Sequence, residues 1–271
     1  MRPNAHAGYR RRVLDVWAIE LDGFFVAPTA QLDEIELDRV ARLDVNLRGR
    51  FVAAHVATRV ILASYLGIEP DRLEISRAPC RICARPHGRP FLTHQKLDFN
   101  LSRSEGWALL AVARQRVGID LEWRHRRLNV DRLAAETMEP DEYQAFRRLP
   151  ATHRHDAFFV NWTCKESVVK ADGIGLCAPL SRVLIDDDQT RARLLRADGG
   201  EDRYLLAPVK LADPAYVATL ATTQPIPAVR QLRWPADLDA ATRPLVAGRG
   251  CVSPGPVSAP ARLPYVPRHG R

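Results

Sequence analysis

The chain has 271 residues, 46% of them hydrophobic and 27% charged, a balance that suits a folded globular protein and excludes a wholly disordered or fibrous one. Forty Lys and Arg against thirty-two Asp and Glu leave a net charge of +8, which fits a solvated basic surface from codon bias as well as an anionic partner such as a phosphorylated ligand, nucleic acid or an acidic protein. No apolar run reaches membrane-spanning length, and Asp15, Glu20 and Asp22 interrupt the apolar segment after Arg10 to Arg12, so a cytoplasmic protein is the expectation.

In chain order, Val13 to Leu21 is rich in strand formers, Asp33 to Asp44 reads as helical, and Arg50 to Tyr65 carries apolar residues at helical spacing up to a stop at Gly67. Short strands are expected at Leu73 to Ser76, Pro90 to Leu92, Leu97 to Leu101, Trp107 to Arg114 and Gly118 to Trp123. A second round follows, with helices over Asp131 to Met138, Pro140 to Leu149 and about His153 to Ala171, the last stopped at Gly173. Strands are then expected near Ser181 to Asp186, Tyr204 to Val209 and Tyr216 to Thr222. The pattern predicts an α+β fold of two similar halves, 1–115 and 116–224, each a helix packed on an antiparallel sheet. The remaining segment, 225–271, holds nine of the twenty prolines and seven Arg against two Asp, and reads as a disordered tail that carries most of the basic imbalance. That placement weakens a nucleic-acid reading of the charge.

Cys80-x-x-Cys83 with His87 nearby supplies ligand types that zinc uses, but no fourth ligand accompanies them, and a plain turn is the expectation. Three other stretches carry chemistry. In Gly118-Ile119-Asp120-Leu121-Glu122, strand alternation sends both carboxylates to one face, where they repel unless a proton or cation bridges them. Oxygen-only ligands of this kind suit Mg²⁺, which takes one or two carboxylates plus substrate phosphates. In Trp162-Thr163-Cys164-Lys165-Glu166-Ser167-Val168-Val169-Lys170, residues 162, 166 and 170 share a helical stripe. Lysines are scarce in this chain, only Lys96, Lys165, Lys170 and Lys210, and two of them flank Glu166. A carboxylate so placed can take a proton from a hydroxyl facing it. Finally, Gly88-Arg89-Pro90 and Phe99-Asn100-Leu101-Ser102-Arg103-Ser104 offer hydroxyl and cationic groups that could hold phosphate, or form turns that satisfy their own backbone.

Taken in chain order, the motifs resemble the signature set of the Sfp-type 4′-phosphopantetheinyl transferases, over roughly Arg39 to Thr222, with Arg103 where the family usually has His. The resemblance implies two pseudo-symmetric halves with the active site between them. It implies transfer of the phosphopantetheine of coenzyme A to a serine of an apo acyl or peptidyl carrier protein, with release of adenosine 3′,5′-bisphosphate. It implies Mg²⁺ on Asp120, Glu122 and Glu166, with Glu166 as base toward the carrier serine and Lys170 assisting the leaving phosphate. Coenzyme A would be bound by Arg50, Arg89, Ser102, Arg103, Lys165 and Lys170. Arg103 keeps a positive charge at every relevant pH, so a phosphate contact survives the exchange. The carriers would serve polyketide, nonribosomal peptide or fatty acid synthesis. A monomer acting without nucleic acid or membrane is expected, since one chain supplies both halves. The competing readings are a basic nucleic-acid-binding module, which leaves the acidic strand unexplained, and another Mg²⁺-dependent phosphoryl or nucleotidyl transferase, for which no P-loop pattern is present.

Overall fold

The computed structural model describes residues 14–22, 31–79, 84, 88–93, 96–125, 127–174, 179–225 and 228–236. In chain order the elements are β1 (Leu14–Glu20), α1 (Glu34–Arg42), α2 (Val45–Leu66), β2 (Ile75–Arg77), β3 (Pro90–Leu92), β4 (Asp98–Ser104), β5 (Trp107–Ala113) and β6 (Val117–Trp123). There follow α3 (Val130–Thr137), α4 (Pro140–Arg147), α5 (Ala151–Asp172), β7 (Val183–Ile185), β8 (Arg191–Leu195), β9 (Glu201–Val209), β10 (Tyr216–Thr222) and β11 (Arg230–Trp234).

The fold is α+β with two halves, as the pattern of helices and strands predicts. The first half is a four-stranded sheet ordered β11-β1-β5-β4, and the second a five-stranded sheet ordered β6-β10-β9-β8-β7. Period-two alternation in β1 sends Trp17 and Ile19 against α2, where Ala54, Ala57, Ile61 and Leu62 meet them, and Leu14 and Val16 to the other face. That other face packs on Val117, Ile119 and Leu121 of β6 and on Ala218 and Leu220 of β10, so a shared apolar layer joins the halves. In the second half, Val168 and Val169 of α5 pack with Val183, Leu194 and Leu206 from β7, β8 and β9. Phe158 and Phe159 take the opposite side of α5 against Ala134, Met138 and Phe146 from α3 and α4 and the residues around them.

Both long helices end where a left-handed glycine closes them, at Gly67 with φ 68° and at Gly173 with φ 88°. The helix α2 starts at Val45, five residues earlier than its apolar pattern indicates. Asp44 caps the Asn46 amide there, and a first turn that is exposed needs no apolar residue.

Two elements depart from expectation. The strand β8 buries only Ala192 and Leu194 in a run of exposed arginine and leucine, too weak a pattern to read unaided. The tail expected from residue 225 is corrected in its first part, because Arg230–Trp234 runs parallel to β1 in the first sheet. It is held by Leu232, buried in the first core, and by Arg230, whose Nε and Nη2 donate to the Asp15 carboxylate at 2.9 and 2.7 Å. Residues 226, 227 and 237–271 of that segment, and the Cys80, Cys83 and His87 group, lie outside the described residues.

The seam between the sheets is made of side chains. As an edge strand, β6 pairs with β10 along one side, which leaves alternate N–H groups on the other to be satisfied. Side chains of β4 do so in register. Val117 N–H donates to Asp98 Oδ2 at 3.3 Å, Ile119 N–H to Asn100 Oδ1 at 2.9 Å, Leu121 N–H to Ser102 Oγ at 3.1 Å and Trp123 N–H to Ser104 Oγ at 2.9 Å.

Candidate active site

The site forms where β4, β6 and α5 meet. Gly118 makes the meeting possible. A Cβ there would collide with the Ser167 carbonyl oxygen and the Ala171 amide nitrogen, so only glycine lets α5 lie this close to β6. With the helix at that distance, Glu166 and Lys170 come to the acidic stretch of β6.

Asp120 is buried and its two oxygens have different fates. Oδ1 accepts from Lys170 Nζ at 2.5 Å and from Ser102 Oγ at 3.0 Å, while Oδ2 is buried without a hydrogen-bond partner. Glu166 is also buried, and its Oε1 likewise has no partner. Desolvation, then the negative charge of Asp120, push the Glu166 pKa up to about 7, with Lys170 opposing and Glu122 adding to the rise. Glu122 stands two residues along β6 from Asp120 and accepts from Ser104 Oγ at 3.4 Å. Lys170 Nζ also donates to Ser102 Oγ at 3.0 Å, so the ammonium is shared between the two halves.

These observations test the fit of a divalent ion. Two buried carboxylate oxygens lacking partners, beside a third carboxylate that raises the pKa of one of them, make a hard oxygen donor set short of positive charge. Mg²⁺ fits that chemistry. The expected cage of Asp120, Glu122 and Glu166 is nevertheless not closed: among the described residues, no group of three His, Cys, Asp or Glu side chains is near enough to hold a metal ion unaided. Three ionised carboxylates with no cation among them repel, and Lys170 supplies part of the neutralising charge.

The expected coenzyme ligands divide. Arg103 is exposed and its guanidinium lies 5.0 Å from the centre of the Phe51 ring. Arg89 pairs with Asp98, donates from Nη1 to the Ala171 carbonyl at 3.3 Å, and packs along Gly173. Arg50 is clasped by Asp22, at 2.7 and 2.9 Å, and by Glu105 at 3.0 Å, which uses its donors within the protein.

Lys165 is a correction. One position from Glu166, it turns about 100° around the helix, away from the site, and is 0% exposed. Its Nζ donates to Glu142 Oε2 at 2.7 Å, Leu180 O at 3.2 Å and Val183 O at 2.5 Å, tying α5 to α4 and to the start of β7. Burial pushes its pKa down and the Glu142 carboxylate pushes back. An ammonium so enclosed cannot reach a coenzyme at the β6 face. The Ser102 hydroxyl is engaged within the seam, accepting from Leu121 N–H and Lys170 and donating to Asp120. Trp162 shares the stripe of Glu166 but packs on Phe158, ring centres 5.6 Å apart.

Reasoning from sequence offered Asn100 and Ser104 only within a stretch that could hold phosphate or form a turn, not as partners of β6, and missed Glu142. The signal for the first two was the strict alternation Asp98-x-Asn100-x-Ser102-x-Ser104 on a strand. Glu142 had none, because its partner lies 23 residues away.

Residues 116–221 match the family model of the 4′-phosphopantetheinyl transferase superfamily. The chain is 34% identical over 174 residues to the 4′-phosphopantetheinyl transferase HetI of Nostoc sp., covering 59% of this chain and 69% of that relative. It is 25% identical over 208 residues to a putative 4′-phosphopantetheinyl transferase of Synechocystis sp., covering 70% and 82%. Against the 4′-phosphopantetheinyl transferase Sfp of Bacillus subtilis it is 26% identical over 134 residues, covering 48% and 59%.

Proposed function

This chain belongs to the 4′-phosphopantetheinyl transferase superfamily and is an enzyme of that kind; from that premise we propose that it moves the phosphopantetheine of coenzyme A to a serine of an apo acyl or peptidyl carrier protein. The carrier serine Oγ forms a bond to the phosphorus nearer the pantetheine. The phosphoanhydride bond breaks, and adenosine 3′,5′-bisphosphate leaves with the bridging oxygen. The observation that carries this reading is Glu166, a buried carboxylate with one unpartnered oxygen and a pKa of about 7, facing Asp120 across the α5 and β6 contact.

Glu166, a carboxylate with one oxygen that lacks a partner, takes the proton of the carrier hydroxyl. Lys170, already charged and shared between Ser102 and Asp120, donates to the departing phosphate oxygen. Arg103, exposed over Phe51, grips a coenzyme phosphate with two donors, and Arg89 lines the approach beside Asp98. Asp120, Glu122 and Glu166 would hold Mg²⁺ together with the pyrophosphate oxygens, and the ion when bound neutralises charge developing on the leaving group. The boundaries 1–115 and 116–224 for the two halves are part of the same proposal, with the site at their seam.

The test is incubation with coenzyme A, Mg²⁺ and a panel of apo carrier proteins, followed by intact-mass spectrometry. A carrier mass gain of one phosphopantetheine, lost when the carrier serine is replaced by alanine, is expected. No gain on any carrier, with binding to nucleic acid that falls steeply with salt, would replace this reading by that of a basic binding module.

A further inference from the structure

Along β4 and β6 the same two-residue repeat occurs twice. Ser102 Oγ accepts the N–H of Leu121 at 3.1 Å and donates to the carboxylate of the residue before it, Asp120, at 3.0 Å. Ser104 Oγ accepts the N–H of Trp123 at 2.9 Å and donates to the carboxylate of the residue before it, Glu122, at 3.4 Å. The spacing of the serines thus equals the spacing of the acids, and each hydroxyl holds the carboxylate of one acid together with the amide N–H of the residue that follows it. Asn100 continues the row on Ile119 N–H, and because Ile119 follows a glycine it has no carboxylate to hold.

We infer that Ser102 and Ser104 are positioning residues for divalent-ion binding, which aim the carboxylates of Asp120 and Glu122 from the opposite half of the molecule. This rests on the transferase reading of the same site and deepens it. By occupying Oδ1 of Asp120 together with Lys170, Ser102 leaves Oδ2 as the oxygen free to meet a cation. Hydrogen bonds of this kind behind a ligand fix its orientation and raise its basicity. The device also explains why hydroxyls rather than larger polar groups stand at these two positions. Each must accept from an amide and donate to a carboxylate at once, and a hydroxyl does both with a single atom.

The experiment uses the full chain and two equilibrium measurements on Ser102→Ala and Ser104→Ala, with thermal unfolding to verify folding. Mn²⁺ affinity is read from the loss of its free paramagnetic signal, and coenzyme A affinity is read by calorimetry in metal-free buffer. Loss of a hydrogen bond behind a metal ligand costs about 10- to 100-fold in ion affinity. Both variants should show that loss with coenzyme A affinity in the absence of metal unchanged. A general loosening of the fold would weaken both affinities together. In an Asp120→Asn background, Ser102→Ala should weaken Mn²⁺ no further, because its effect passes through that carboxylate. Unchanged Mn²⁺ affinity in the single variants, or weaker metal-free coenzyme A binding with Mn²⁺ affinity intact, overturns the inference. Neither measurement needs turnover, so a wild-type protein that binds Mn²⁺ but modifies no carrier would count against the transferase reading and leave the positioning role to be judged by the serine variants.

Discussion

Glu166→Gln separates two consequences of burying a carboxyl group beside other acids. Glu166 is 7% exposed. Burial first, and the Asp120 charge second, take its pKa from 4.5 to about 7, with Lys170 pulling the other way. Between those values the folded protein keeps a proton that the unfolded chain has released, so stability falls as pH rises through the interval. At 1.36 kcal/mol per unit of pKa, the deficit above pH 7 comes to roughly 3 kcal/mol. Glutamine has the same shape and no charge to desolvate. In metal-free buffer the variant should match the wild type near pH 4 and exceed it by about 3 kcal/mol near pH 8.5, a rise in Tm of roughly 6 to 12 °C. Urea unfolding followed by tryptophan fluorescence at the two pH values measures the difference. Carrier modification should be lost in the same variant, the usual exchange of stability for a strained functional group. A variant no more stable than wild type near pH 8.5, or an advantage of the same size at both pH values, would refute the reasoning.

Lys165→Met should leave the Glu142 carboxylate buried without its cation. A loss of about 3 to 5 kcal/mol is expected by urea unfolding, with the KM for coenzyme A unchanged at a temperature where the variant is folded. Gly118→Ala forces α5 away from β6, so the Glu166 pKa should fall toward its ordinary value as water enters, visible as loss of the pH-dependent stability, together with loss of transfer. Ending the chain after Gln224 removes β11, leaves Asp15 without Arg230 and bares the edge of β1, and calorimetry should show a lower Tm. Ending it after Ala236 should leave Tm and transfer unchanged, since all described contacts of β11 remain.

Much of the site was legible along the chain because its parts are local. Gly118-x-Asp120-x-Glu122 sits within one strand, and Glu166 and Lys170 within one helical stripe, and short-range periodicity places such residues on one face. The expected strands and helices follow the same logic wherever apolar alternation is strong, as in β1 and β5. Where it is weak, as in β8, or sits in proline-rich surroundings, as in β11, composition pointed to coil. There a partner distant in sequence decides, since β11 is held by Asp15, 215 residues from Arg230.

The role of each polar motif residue was not legible. Lys165 and Lys170 are equal in sequence as lysines beside a glutamate. Five positions along a helix turn them to different sides, one into Glu142 and the carbonyls near β7, the other onto Asp120. Ser102 and Arg103 adjoin in one strand, and alternation points one into the seam and the other over Phe51. Residue order alone determined that two acids, a glutamate and a lysine would be available on neighbouring regular elements, because periodicity is a property of the backbone itself. Which of their atoms are satisfied, which remain open to a cation or a proton, and which motif residues serve only to hold the halves together were decided when β4, β6 and α5 packed. Desolvation and hydrogen-bond saturation depend on neighbours that no local stretch of chain contains.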